Sequence, residues 1–321
     1  MSEQTIEKNS LVGLSSRDAY GKVIVELADQ HEEIVGLSAD LSGSVKLSDF
    51  REKCPERFID FGIAEQNMMG AAAGLTLAGI VPFVSTYAVF SSMRACEQVR
   101  TDVAYNELPV KIVSTHSGIS LGVAGATHHA LEDIGIFRGM PGMTVLSPAD
   151  AVETASMLNK VMEIEGPVYV RLSRAKEKTV YQEIFDYKVG KPDHLVRGQD
   201  ILLIATGPEV GESLEAITLL EECGIHAGLL NVSSLKPINI NEVVAAIEQY
   251  PVVLTVEQGF ITNGLGSAIA EIIAEQNINV KIFRHGILDQ FTTSGPYREL
   301  LNYYKLDTGG IKDTVLKVLD R

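Results

Sequence analysis

The chain has 321 residues, 45% of them hydrophobic and 21% charged, which suits a soluble globular protein of two ordinary domains. Its formal net charge of −15 argues against nucleic acid or an anionic membrane as the main partner, because both need a basic footprint; phosphate-bearing small molecules held by a few Arg and His residues stay open. Cys54, Cys96 and Cys223 are scattered without a Cys-x-x-Cys pair, the N-terminus is polar without a signal-peptide pattern, and no apolar run could cross a bilayer, so no zinc site, disulfide framework or membrane span is indicated and a reducing cytosol is expected.

In chain order, residues 17–30 read as an amphipathic helix with Ser15 or Ser16 as N-cap. Residues 33–38 are strand-like, and 57–62 resemble a buried strand end. A small-residue helix is expected over 68–77, a strand over 81–86, a helix over 90–104 and a strand over 110–115. Residues 116–133, rich in Gly, Ser, Thr and His, read as a loop. A strand at 144–146, a helix at 149–164 and a strand at 168–172 follow. Alternation of strand and helix argues for an α/β fold, a parallel sheet covered on both faces. The pattern lapses over 187–199, a polar stretch with Gly and Pro that reads as a linker, dividing the chain into domains 1–187 and 188–321. Strands at 201–205, 227–232, 252–256 and 280–283, with helices at 210–223, 240–249, 266–276 and 311–319, define a second, smaller α/β domain.

No dinucleotide glycine fingerprint, Walker phosphate loop, His-Glu-x-x-His or Gly-x-Ser-x-Gly is present. The string FGIAEQNMM at 61–69 instead places a carboxylate, Glu65, near a helix N-terminus at the carboxyl edge of a sheet, where open α/β sheets bind ligands. A surface Glu favoured by the helix dipole is the plainer alternative. Tyr87 and Phe90 could be core aromatics beside a strand end, and Asp40 a turn residue after a strand. His128 and His129 are adjacent in a Gly-rich loop, but no carboxylate or Cys at fitting spacing supports a metal there.

The Glu65 string resembles the glutamate motif of transketolase-type thiamine-diphosphate enzymes. From about 15 to 181 the chain is similar to the transketolase pyrimidine-binding domain, and the remainder to that family's smaller C-terminal α/β domain. The resemblance implies that Glu65 hydrogen-bonds the coenzyme's aminopyrimidine and starts its activation. It also implies that Tyr87 and Phe90 flank that ring, and that Asp40 and Leu41 line the coenzyme near its thiazolium. Arg17, Ser44, His116 and Arg174 match positions that hold a sugar phosphate, a set chemically suited to a dianion. His128 matches a histidine near the reacting sugar oxygens, with His116 sharing the proton work; the role of His129 is less defined. There is no Gly-Asp-Gly followed by paired Asn, the family's metal and diphosphate motif. The resemblance therefore implies the C-terminal subunit of a split enzyme, with an N-terminal subunit holding the diphosphate and its Mg or Ca. A two-plus-two heterotetramer is expected.

The implied reaction moves a two-carbon ketol unit from a ketose phosphate to an aldose. Val123 and Ala124 stand where typical members carry Glu-Asp, and loss of that acceptor points to a branched, deoxygenated or otherwise altered sugar. Competing family readings are a 2-oxoacid dehydrogenase β subunit, a deoxyxylulose-phosphate synthase relative and a non-catalytic scaffolding subunit. Against the first stand the loop THSGISLGVAGATHHALED at 115–133 and the phosphate-site matches.

Overall fold

The computed structural model describes residues 11–320. The polar N-terminal segment 1–10 lies outside them. Strands β1 (Ile34–Ser38), β2 (Phe58–Asp60), β3 (Val81–Ser85), β4 (Lys111–Ser114), β5 (Thr144–Leu146) and β6 (Val168–Arg171) form parallel pairs in one sheet. Strands β7 (Asp193–Val196), β8 (Ile201–Ala205), β9 (Ala227–Asn231), β11 (Val252–Phe260) and β12 (Lys281–Ile287) form a second sheet, ordered β12-β11-β8-β9-β7. Strand β10 (Ser234–Lys236) lies between β9 and β11 in the chain, yet it pairs antiparallel with β5 and completes the first sheet, ordered β10-β5-β6-β4-β3-β1-β2.

Alternating side chains of the first sheet supply two cores, as the period-2 geometry of a strand requires. Ile34, Phe83, Val113, Val168 and Val170 face helices Ser16–Gln30 and Ala151–Val161. Val35, Leu37, Val84, Ile112 and Tyr169 face helix Glu65–Thr76 and the segment 95–104. This second core runs on into Leu202, Ile204, Leu230 and Val253 of the other sheet, so apolar packing is continuous across the chain. The fold is the two-part α/β architecture expected. Ser15 is the N-cap of its helix, accepting from the Asp18 N–H, and Asp150 caps Ala151–Val161 through the N–H groups of Val152 and Glu153.

Several local expectations are corrected. The segment 57–62 is not a buried strand end: β2 lies at the sheet edge, with Ile59 38% exposed. The helix expected from 68 begins at Glu65. The stretch 90–104 is helical but widened, with π-helical turns at Phe90–Arg94 and Val99–Ala104 around a short α-helical turn. The linker 187–199 contains β7, paired antiparallel with β9; its single short, polar edge strand leaves little apolar periodicity to read.

At the seam between the sheets, the wholly buried Arg171 donates to Asp133 Oδ2 at 2.7 Å and to the carbonyls of Ala130 and Gln258 at 3.1 and 2.9 Å. Tyr169 donates to the same carboxylate oxygen at 2.7 Å. Removing one partner of a buried pair strands the other charge. Asp133→Ala is therefore expected to cost about 3–5 kcal/mol, read as a lower urea midpoint with an unchanged slope.

Candidate active site

Strand order reverses between β1 and β3: the chain leaves β1 toward β2 and leaves β3 toward β4, on the other side. A crevice opens beyond the carboxyl ends of strands at such a point. The segments after β1, β2, β3 and β4 carry the residues singled out above, except Arg17, in the helix before β1, and Arg174, just after β6.

Glu65 is the first residue of helix Glu65–Thr76 and is 1% exposed. The helix N-terminus favours its negative charge. Oε1 accepts from Arg94 Nη1 at 2.6 Å, while Oε2 is buried with no hydrogen-bond partner among the described residues. Arg94 also lies over the Phe90 ring, 4.1 Å from its centroid, a favourable cation–π distance. Sequence reasoning missed Arg94. Its spacing of four residues from Phe90 on a helical stretch was the available signal, since such pairs share a face.

From Phe90 a row of rings leads inward. Tyr87 stacks on Phe90 at 5.6 Å and lies 3.9 Å from the His116 ring, and His128 meets Phe90 edge-on at 5.4 Å. His116 is buried, holds φ +61°, and its Nδ1 is 2.7 Å from Thr115 Oγ1. Such a conformation in a non-glycine residue is a strain that functional sites often carry. Burial, followed by the positive charges of Arg17, Arg174 and His128, pushes the His116 pKa down to about 3. His116 is thus a neutral imidazole, able to donate through one nitrogen and accept through the other.

Arg17 sits in the first turn of helix Ser16–Gln30 and donates to the Ser44 carbonyl at 3.0 Å; burial lowers its pKa, and its Nε is buried and unpartnered among the described residues. Arg174 is exposed, with its backbone N–H on Ser120 Oγ at 3.1 Å. Arg17, Ser44, His116 and Arg174 therefore gather at one end of the ring row. Asp40 and Leu41 occupy the turn after β1 instead. Asp40 has φ +58° and donates its N–H to Asp60 Oδ1 at 2.9 Å, and Leu41 donates its own to Ser38 Oγ at 3.2 Å. Asp60 Oδ1 also accepts from the Gly62 N–H at 2.9 Å, so this turn steadies the lead-in to Glu65.

The histidine loop is held by the second sheet's domain. Gln258 accepts from the Ile119 N–H at 3.1 Å and donates to Glu209 at 2.9 Å and to the Tyr297 hydroxyl at 3.0 Å. Gly118 at φ +58° has no room for a side chain, because a Cβ would meet Gln258 Oε1 at 2.3 Å. His129 is buried, 2.7 Å from Thr292 Oγ1 through Nδ1 and 3.2 Å from the Gly122 carbonyl through Nε2. Both its nitrogens are engaged in holding the loop, while neighbouring His128 faces the rings. Val123 is 75% exposed on the loop's outer side, with Ala124 half-buried beside it. Gln258, Thr292 and Tyr297 could not be assigned from the sequence, since no local pattern marks contacts between segments from 39 to 163 residues apart.

A buried carboxylate, an aromatic row and a cationic cluster gather at the switch point of the first of two α/β units, the place where enzymes of this architecture bind their ligands. The transketolase pyrimidine-binding domain model matches residues 12–178, and the transketolase C-terminal domain model matches residues 190–311. The chain belongs to the transketolase family, and its extent corresponds to the C-terminal part that split members encode separately. It is 42% identical to a putative transketolase C-terminal section of Methanocaldococcus jannaschii, covering 95% of this chain and 96% of that one. It is 36% identical to an apulose-4-phosphate transketolase subunit of Phocaeicola vulgatus, covering 96% and 98%. A solved structure described as a split gene transketolase, inactive beta4 tetramer, superposes with a TM-score of 0.89 at 41% identity, covering 96% of this chain and 99% of that one. Family membership implies dependence on thiamine diphosphate. The residues present fit its pyrimidine half: Glu65 Oε2 is a spare buried acceptor, and the flat, donor-bearing Arg94 guanidinium already rests between Glu65 and Phe90. Among the described residues no helix is long and apolar enough to cross a membrane.

Glu209 underpins the Gln258 anchor, and burial raises its pKa from 4.5 to about 8. Its folded value lies above the unfolded one, so its contribution to stability is full below about pH 4.5 and is lost as pH rises through about 8. Glu209→Gln, which cannot ionise, should therefore gain stability over the parent as pH rises through that window. Paired urea titrations at pH 5 and 8.5 read the difference, with the larger relative gain expected at pH 8.5.

Proposed function

We propose that this chain is the C-terminal subunit of a transketolase that moves a two-carbon ketol unit from a ketose phosphate to an aldose. It acts with an N-terminal subunit that holds the coenzyme's diphosphate and its Mg or Ca, in a two-plus-two assembly. The carrying observation is the buried Glu65 at the switch point, with one spare carboxylate oxygen and the other joined through Arg94 to the Phe90 face. Support for a separate partner comes from the Phocaeicola vulgatus relative, named as one subunit of its enzyme, and from the split-gene structure described as an inactive beta4 tetramer. The coenzyme half-site belongs to domain 1–187, with 188–321 as the C-terminal domain.

In this reading Glu65 receives the pyrimidine ring nitrogen and shares a proton with it. Phe90 and Tyr87 bound the ring, and Asp40 and Leu41 line the approach at the end of β1. Thiamine diphosphate supplies the electron sink for breaking and remaking the carbon–carbon bond. His116, neutral and held by Thr115, hydrogen-bonds a sugar oxygen; His128, half-buried and facing the same rings, moves a proton to or from the sugar hydroxyl. Arg17, Arg174 and Ser44 bind the phosphate, with His116 donating beside them, and the cationic cluster selects a dianion over neutral sugars. Val123 and Ala124 present no acceptor where an acidic pair would read a hydroxyl, which favours a sugar altered at that position. A relative named for apulose-4-phosphate independently favours a sugar outside the usual set.

Glu65→Gln, reconstituted with the N-terminal subunit, should lower kcat by about 10²-fold or more while circular dichroism stays unchanged; near-parent turnover would refute the assignment. Ala124→Asp should shift the kcat/KM ratio toward unmodified pentose and hexose phosphates by about 10-fold or more. An unaltered ratio across a panel of phosphorylated ketoses removes the argument for an unusual sugar.

A further inference from the structure

Glu65 and Phe90 are the groups that, on the reading above, receive the aminopyrimidine, and here one side chain engages both. The Arg94 guanidinium is 2.6 Å from Glu65 Oε1 and 4.1 Å from the Phe90 centroid. A heterocycle that hydrogen-bonded the carboxylate and stacked on the ring would need the same volume. Oε2 is the oxygen left for the ring nitrogen, but it is buried and Glu65 as a whole is 1% exposed, so the ring reaches it only once Arg94 has moved aside. Arg94 differs from its partners in being free to leave: its side chain is 45% exposed, so it can swing outward without disturbing the core. It also ends the widened turn Phe90–Arg94, which places its side chain back over Phe90.

We propose that Arg94 is a gate on the coenzyme site, which in its closed position takes the aminopyrimidine's place on Glu65 and Phe90. A guanidinium is planar, cationic and rich in N–H donors, so it satisfies the carboxylate and the ring much as the aminopyrimidine does. The coenzyme binds only the fraction of molecules in which Arg94 has moved out. Apparent affinity falls by that fraction, and a chain without its partner stays closed. The proposal rests on the assignment of Glu65 above and adds a residue that sets coenzyme affinity without touching the reacting atoms.

Thiamine, which carries the pyrimidine but not the diphosphate, is the probe, titrated by calorimetry into the full-length chain alone. Arg94→Met should bind it at least about 10-fold tighter than the parent, and Arg94→Lys, which keeps the charge but not the plane, should fall between. Adding Glu65→Gln to Arg94→Met should remove the gain. Equal or weaker binding by a folded Arg94→Met overturns the gate. A gain that survives Glu65→Gln supports the gate over Phe90 and overturns Glu65 as the receiving group, so the two failures are distinguishable. Should Arg94→Met not fold, the unmodified chain labelled with 15N-arginine carries the test. The Arg94 side-chain Nε signal should move to its free-solvent position as thiamine saturates, and a signal unmoved by bound thiamine overturns the proposal.

Discussion

A cation with no access to water holds this molecule's two halves in register. Arg171, at the end of β6, reaches the Asp133 carboxylate, the Ala130 carbonyl and the Gln258 carbonyl. These belong respectively to the helix that follows the histidine loop, to the loop itself and to β11 of the other sheet. An ionised guanidinium in such a place is tolerated only when its donors are met. The loop and the second domain are therefore confined to the arrangement that meets them. His116 and His128 lie on that confined stretch, so their placement against Tyr87 and Phe90 follows from a contact well away from the rings.

The same constraint explains why the second domain matters to a site it does not line. Its own switch point, beyond β8 and β11, would ordinarily be a ligand crevice. Here Gln258, Glu209 and Tyr297 fill it with hydrogen bonds that end on the histidine loop. A place where an open sheet usually binds a small molecule has been given over to holding protein. The anchors are buried carboxylates and amides, which are costly to leave unpaired, so the loop has few alternative positions.

Much of the fold was legible because its strands are apolar runs with the right length and its helices follow at regular intervals. Residues 34–38, 81–85, 111–114 and 201–205 are such runs, buried from both sides. The edges were harder. β7 and β10, of four and three residues, carry too little periodicity to register, and the string at β2 shows a strand end but not that it lies at the sheet's edge. The site divides in the same way. Glu65, Tyr87, Phe90, His116 and His128 stood out through local strings, and the rings and histidines among them come together in one row. Arg94 was hidden because its one local cue, the four-residue spacing from Phe90, says nothing of the carboxylate it reaches on another helix. The role of His129 was hidden because Thr292 reaches it from another domain.

Strand β10 has a consequence for how the chain can be divided. It lies well inside the C-terminal half, beyond the apparent linker, yet it caps one side of the N-terminal half's sheet through β5. A fragment ending near residue 187 would keep every helix that covers that sheet but leave β5 with its outer row of peptide groups bare. Bare strand margins recruit other chains. The two halves thus shield each other from self-association, and a gene cut at the linker would yield a sticky product even though Glu65, Phe90, His116 and His128 all lay within it.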